Sequence, residues 1–445
     1  MNQTTRPRVL FGGTEFRQQK QRGIYFYAKS AIAAVRAAGY DTTLLTEARD
    51  NEHKSLLLSR IYHTLHDPVE HRPNRPRMLA RYLEQRVLRR HFAREVAHDA
   101  EMLTEEHLWF LRNFSSFLNV PRIYDTIDLA TRLPFSPPVD LSFAADHGQN
   151  VVFTTAPTHV RARHRRVKLV QTVHDVIPLQ VTLQSDRPDQ FFRATQSAVR
   201  YSDMLLAMSE YTRDRLVDLF PQAAGRVKVV YQSIPADERL LRLSEQPLVQ
   251  QAVLSKFGLS ADQYCFYIGA IEPRKNIHRL ITAHQVVAKH ADCPLILAGP
   301  VNKRYAADHG MREQLGVGRR SPGPSDPSTR YIGYVTEIEK LCLLRNARFF
   351  AFPTLSEGFG IPVLEAQTLG CPVLTSNTSS IPEVVGSSAA LIEDPYSVEE
   401  IASRLQRLLE DGEYRQQLRR DGLVNAQRFS QQSFSSQLDA ALREL

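Results

Sequence analysis

Cysteine is scarce and long apolar runs are missing, and each gap removes a class of protein. Four cysteines in 445 residues, Cys265, Cys293, Cys342 and Cys371, stand far apart without metal-ligand or redox spacing. Three lie within apolar runs, so buried free thiols are expected rather than disulfides or zinc ligands. No stretch reaches the roughly 18 apolar residues of a membrane span. The opening "MNQTTRPRVLFGG" has neither the apolar core nor the small-residue cleavage site of a signal peptide, and a cytoplasmic location is expected. There is no Asp-x-Asp pair to hold a divalent ion, no phosphate loop ending in Gly-Lys-Ser/Thr, and no Gly-x-Gly-x-x-Gly. Nothing resembles a zinc finger or the aromatic strand of an RNA-recognition domain, so no nucleic-acid partner is expected.

What is present is the composition of a globular chain, 42% hydrophobic and 23% charged. At 445 residues it exceeds what one core supports, which predicts two domains. The formal charge of +8 lies wholly in the first part: residues 1–200 carry 29 Lys and Arg against 20 Asp and Glu, the remainder 27 against 28. It concentrates in "HRPNRPRMLARYLEQRVLRRHFAR" and in "RARHRRVK", residues 161–168. Such patches attract polyanionic surfaces such as an anionic membrane, or serve as a solvated basic face.

Along the chain, "RPRVLFGG", the apolar spacing from Ile24 to Val35 and "DTTLLT" read as strand, helix, strand, which argues for parallel sheet. Residues 51–115 read as basic helices inserted in this domain. Short strands are expected at "RIYDTIDLA", "NVVFTTAP" and "VKLVQTV", and Ser209 as a helix cap. Residues 1–235 form the first domain on this reading, and 236–260, charged and irregular, a linker. A second alternating series occupies 261–425, with Thr336/Glu339 and Ser380/Glu383 as capping boxes. Residues 426–445 form a final helix. Two doubly wound α/β domains are implied, with ligands beyond the carboxyl ends of their strands and the natural site in the cleft between them.

The chemistry gathers at strand ends. "ARFFAFPT" is a fully apolar strand leading into "LSEGFG", so Glu357 sits in a turn at its carboxyl end and Glu365 in the first turns of the next helix. Gly358 and Gly360 let backbone approach a ligand. A carboxylate in the turn accepts bonds from sugar hydroxyls, and one near the helix start suits a vicinal diol such as ribose. In "GAIEPRKNIHRL", Arg274 and Lys275 likewise follow an apolar strand, and adjacent cations suit a diphosphate in place of a metal ion. In the first half, His174 and Asp175 follow "VKLVQTV", and "GGTEF" and "QRGIYFY" offer Gly12, Gly13 and Gly23 beside a helix start.

Taken together, "EPRKN", "YIGYV" and "SEGFGIPVLEA" resemble the retaining glycosyltransferases of the group 1 family, which have the GT-B architecture of two facing Rossmann-like domains. The family's Glu, seven residues, Glu signature is matched by Glu357 and Glu365. The resemblance implies that Glu357, with the backbone of Gly358, Phe359 and Gly360, holds the donor sugar and Glu365 the ribose. It implies that Arg274 and Lys275 hold the diphosphate, that Val335 lies at the base and that His174 reaches the donor sugar from the other domain. It assigns the phosphate loop to Gly23, although the paired glycines, Gly12 and Gly13, come earlier here. It also implies that the last helix crosses back to the first domain.

The expected reaction is transfer of a sugar, mannose or a deoxyhexose, from a nucleotide diphosphate donor to a hydroxyl of a glycan or lipid-linked glycan, with no metal and no further cofactor. Retention raises Asp175 as a nucleophile; the resemblance favours same-face attack instead. The basic first domain suggests peripheral contact with the inner membrane face. A sugar-nucleotide epimerase and a non-catalytic donor-binding subunit are the alternatives.

Overall fold

The apolar runs become the strands of two doubly wound sheets, one in each of two units. The structure, a computed structural model, describes residues 7–17, 23–47, 93–96, 105–180, 187–234, 237–288, 293–302, 315 and 328–445. The first unit comprises Met1–Ser233 with Gln431–Leu445, the second Ile234–Ser430.

In the first unit the strands are β1 (Arg8–Phe11), β2 (Asp41–Thr46), β3 (Arg94–Val96), β4 (Ser116–Asn119), β5 (Val139–Asp140), β6 (Val151–Thr154), β7 (Val160–Arg161), β8 (Lys168–Val173), β9 (Met204–Ala207) and β10 (Val227–Val229). The main sheet runs β10-β9-β8-β6-β1-β2-β4-β3, while β5 and β7 pair apart. Among the described strands of this sheet, only β3 is antiparallel to its neighbour. Strands covered on both faces must be apolar throughout, and Val9, Leu10 and Phe11 of β1 are fully buried, with Phe11 against Phe153 at 5.0 Å. Helix Gly23–Ala37 turns Ala28, Ala31, Ile32 and Val35 inward. Helix Gln431–Leu442 packs on it, bringing Phe434 to 5.8 Å from Tyr27.

In the second unit β11 (Cys265–Ile268), β12 (Leu295–Ala298), β13 (Thr329–Gly333), β14 (Phe349–Phe352), β15 (Val373–Ser376) and β16 (Ala390–Ile392) form the all-parallel order β13-β12-β11-β14-β15-β16. The order reverses between β11 and β14, and in open α/β sheets ligands bind at the carboxyl end of such a reversal. Two glycines at the ends of β11 and β12 let the chain pass close there. Gly299 has φ 121°, and a Cβ on it would lie 2.1 Å from the Gly269 carbonyl oxygen.

Ser209 caps helix Glu210–Leu219 through the Thr212 N–H, and Thr336 and Glu339 form a reciprocal box on helix Glu337–Asn346. Three expectations fail, each for a physical reason. "RIYDTIDLA" is not a strand but helix Ile123–Arg132, because Ile123, Tyr124, Ile127 and Ala130 share one buried helical face. The segment 236–260, read as a linker, carries helices Glu238–Ser244, capped by Asp237, and Pro247–Phe257, ended by Gly258 with φ 59°. Both pack on helix Glu337–Asn346 within the second unit. Ser380 forms no capping bond; its hydroxyl is used elsewhere, as described below.

Most of 51–115 lies outside the described residues, which there comprise β3 and helix Glu105–Asn113 with their flanks. All four cysteines are buried and free. Among the described residues no helix is long and apolar enough to cross a membrane.

Candidate active site

Strand β14 is buried along its whole length and delivers the chain to a turn whose shape is fixed by hydroxyl groups. The Glu357 N–H donates to Ser379 Oγ at 2.9 Å, and the Glu357 carbonyl accepts from Ser380 Oγ at 3.0 Å. Thr354 Oγ1 donates to the Glu357 carboxylate at 2.9 Å. At the end of the turn Gly360 has φ 103°, a dihedral that favours glycine, and a Cβ there would lie 2.6 Å from the movable end of the Ile381 side chain. The adjacent Phe359 is 4% exposed and sits edge-on against Phe429 at 5.5 Å. The ring anchors the turn inside the unit, which leaves its backbone, the part expected at the donor, on the turn.

The loop after β11 supplies the opposite charge. Pro273–Lys275 makes one helical turn, closed by Asn276 in the left-handed region at φ 60°. Lys275 donates to one Glu357 oxygen while Arg274 lies 3.1 Å from the other. Arg274 also donates to Ser356 O at 2.6 Å and to Glu272 at 2.9 Å. Lys275 Nζ lies 4.8 Å from the Phe352 ring centroid, a cation over an aromatic face. Burial alone would raise the Glu357 carboxyl, but Lys275 and Arg274, with bonds from Lys275 and Thr354, hold it below its ordinary value. Burial pulls Lys275 down from its ordinary value, with Glu357 opposing. Two cations and two carboxylates are thus held on the two loops that flank the sheet's reversal point.

Glu365 lies on helix Ile361–Thr368, directly beyond that turn. Its Oε1 accepts from Lys340 Nζ at 2.7 Å, and Lys340 also lies 2.7 Å from Glu337 Oε1. Burial raises the Glu365 carboxyl despite Lys340. Lys340 belongs to helix Glu337–Asn346, which begins two residues after Val335, directly behind its cap Thr336. Val335 is buried, while the preceding Tyr334 is exposed. One unit therefore brings together Arg274, Lys275, Glu357, Gly358 and Gly360, with Glu365 and Val335 on the flanking elements.

His174, Gly13 and Gly23 belong to the other unit. The ring of His174, just past β8, approaches Tyr27 edge-on at 4.7 Å, and its Nε2 lies 2.7 Å from the Thr155 carbonyl. A carbonyl only accepts, so Nε2 carries the proton and Nδ1 the lone pair. Desolvation lowers its pKa from 6.5 to about 4 against that hydrogen bond. Folding thus favours the neutral ring, and its contribution, present above pH 6.5, is lost as pH falls toward about 4. His174→Gln is expected to flatten the acid side of the stability profile, checked by urea midpoints across that range.

The Gly13 N–H donates to the Tyr124 hydroxyl at 2.5 Å and the Gly12 N–H to Phe153 O at 2.9 Å, so both amides of the pair are used inside the fold. Gly23 is exposed at the first position of helix Gly23–Ala37, with open space around it. Asp175 Oδ1 accepts from the Ile177 N–H at 3.0 Å and so shapes the turn before helix Ile177–Gln180. The sequence gives no hint of a site role for Glu272, Thr354 or Ser379, and Ser380, expected as a cap, serves the turn instead. For Lys340 a signal existed, a lysine beside the apolar stripe Leu341–Leu344 of a capped helix.

Comparison with known proteins identifies the family of the chain. Residues 254–423 match the family described as Glycosyl transferases group 1. Residues 119–238 match Glycosyltransferase Family 4. The O-antigen chain mannosyltransferase B of Escherichia coli is 31% identical over 278 residues, 62% of this chain and 70% of that one. The chain belongs to the glycosyl transferases group 1 family.

As a group 1 glycosyltransferase it is also similar to the serotype-specific mannosyltransferase WbdA of Escherichia coli, 27% identical over 271 residues and 59% of this chain. It spans only 32% of that relative's length. The crystal structure of Anabaena HepE with UDP and glucose superposes with a TM-score of 0.61 at 16% identity, covering 99% of this chain and 100% of that one. At that identity the likeness concerns the fold: both have the GT-B architecture built from Rossmann-like units.

Proposed function

We propose that this group 1 glycosyltransferase moves mannose from a nucleotide diphosphate donor to a hydroxyl of a growing glycan in cell-surface polysaccharide synthesis, with retention and without a metal ion. The observation that carries the reading is the joining of Arg274, Lys275 and Glu357 across the reversal point of one sheet. The mannosyltransferase relatives support the sugar, with a deoxyhexose as the second choice.

The chemical task is to stabilise a departing diphosphate while positive charge grows on the sugar ring. Arg274 forks over phosphate oxygens and Lys275 adds a point charge. Both are fixed by protein groups before the donor arrives, which is the condition for electrostatic catalysis. Glu357, paired with those cations, accepts from hydroxyls of the sugar that is joined to the diphosphate. Gly23, at an open helix start, is the better candidate for the outer phosphate than Gly13, whose amide is occupied. His174 presents a neutral ring whose Nδ1 accepts a hydrogen bond from a hydroxyl. With Asp175 engaged in a turn, same-face attack, in which the leaving phosphate oxygen receives the acceptor proton, is the preferred course.

For the acceptor we favour a lipid-linked glycan, with Arg163, His164, Arg165 and Arg166, exposed on one turn of the first unit, meeting anionic phospholipid. Co-sedimentation with vesicles should then fall with salt and with removal of anionic lipid. The reaction is tested by incubating the protein with labelled nucleotide sugars and an oligosaccharide acceptor, then reading the anomeric configuration of the product. Transfer of mannose in the α configuration from an α-linked donor is expected. Isomerised free donor would indicate an epimerase, and binding without turnover a non-catalytic subunit.

A further inference from the structure

We propose that Lys340 is a positioning residue that holds the Glu365 carboxylate in place for the ribose of the donor nucleotide. The inference deepens the reading above and rests on it. Lys340 is a lysine with a side chain only 13% exposed, and buried lysines are rare unless paired. It bridges two carboxylates on two helices, Glu365 Oε1 and Glu337 Oε1, each at 2.7 Å. An ammonium has three protons and this geometry uses two, which leaves one for a hydroxyl beside the carboxylate. A bond to Oε1 occupies one of that oxygen's two lone pairs, so the carboxylate can still accept from both hydroxyls of a vicinal diol. The side chain of Glu365 is itself only 11% exposed, and a single fixed partner determines where its oxygens point.

The charges acting on Glu365 define how the pair responds to pH. From helix Glu337–Asn346 they are Lys340 and Glu337. Helix Gly412–Ala426, packed on the other side, brings Arg419 to Gly370, past the end of Glu365's own helix. Helix Ile381–Val385 carries Glu383. Burial and Glu337 both favour the protonated carboxyl, and Lys340 is the cation that opposes them. Without Lys340 the carboxyl would stay protonated to higher pH and could no longer accept from two hydroxyls.

The test is calorimetric binding of GDP and UDP, and of their 2′,3′-dideoxy counterparts, to the full chain and to Lys340→Met and Lys340→Arg across the pH range about 5.5 to 8.5. For whichever nucleotide binds the unaltered protein, Lys340→Met is expected to weaken binding roughly 10-fold or more near the acid end. The loss should shrink as pH rises, while Lys340→Arg restores most of the affinity. The dideoxy compounds, which lack the diol, should bind all three proteins alike. Equal losses for nucleotide and dideoxy compound, or a loss independent of pH, would reduce Lys340 to a structural residue and overturn the inference. If Lys340→Met fails to fold, Lys340→Arg and Glu337→Gln carry the same pH comparison. Glu337→Gln, which removes a repelling charge, should extend binding to lower pH, and no such extension overturns the inference. If the unaltered protein binds neither nucleotide, the parent reading falls; if the dideoxy compound binds it as tightly as the nucleotide, only the ribose role falls.

Discussion

Lys275→Ala is expected to lower kcat for sugar transfer roughly 100- to 1,000-fold, the loss seen when one preorganised group facing developing charge is removed. The residue contributes in two ways, and their sizes decide what is measured. On the proposed reading it supplies a charge to the leaving diphosphate, and it is one of two cations that hold the buried Glu357 carboxyl below its ordinary value. Breaking a buried pair costs about 3–5 kcal/mol when the remaining charge has no other partner. Here Arg274 stays 3.1 Å from Glu357 and Thr354 still donates to it at 2.9 Å, so the stability loss should fall below that range. The variant should therefore fold, with a modestly lowered melting temperature, and fail in catalysis. Steady-state kinetics beside thermal unfolding separates the two effects. Retention of more than about a tenth of kcat would remove the electrostatic role assigned to this pair.

Gly299→Ala should prevent the second unit from folding. Its Cβ would stand 2.1 Å from the Gly269 carbonyl oxygen and 2.8 Å from that carbonyl carbon, and both atoms are backbone at the end of β11. No flexible side chain can move aside, and φ is 121° besides. Losses beyond about 4 kcal/mol arise from a short list of causes that includes overpacking and strain at a special φ. Gly225→Ala is the control: φ there is 82°, but nothing lies within 4 Å, so only the dihedral cost of about 1–2 kcal/mol applies. Soluble yield and urea unfolding of the two variants should differ sharply. Similar behaviour would mean that β11 and β12 part more easily at their carboxyl ends than their close approach implies.

Much of the site was legible because its residues follow strands whose apolar composition is unmistakable. "ARFFAFPT" and "QYCFYIGA" locate the carboxyl ends of β14 and β11, and Glu357 and Arg274–Lys275 come next in the chain. What the sequence could not convey is which distant group meets each residue. Phe359 looks exposed beside two glycines until Phe429 covers it. Gly13 looks ready for phosphate until Tyr124, from another helix, takes its amide. Ser380 and Glu383 have the spacing of a capping box, yet the serine hydroxyl finds the Glu357 carbonyl instead. "RIYDTIDLA" was misread for a local reason, its β-branched content outweighing the spacing of its apolar positions. Helix Glu238–Ser244 was hidden by short length and charge, and helix Pro247–Phe257 by a narrow buried face of Val253 and Leu254; both are stabilised by partners such as Glu339 and Arg345, which follow much later.

The chain's return into its first unit has a consequence for synthesis. The second unit is complete once Ser430 has been made, whereas the first still lacks Gln431–Leu445, including Phe434 and Leu438, which are fully buried. Folding during translation ordinarily proceeds from the N-terminus as each domain leaves the ribosome. In this molecule the half begun first is the last that can mature, and until then the face of helix Gly23–Ala37 around Tyr27 stays uncovered for a chaperone to guard.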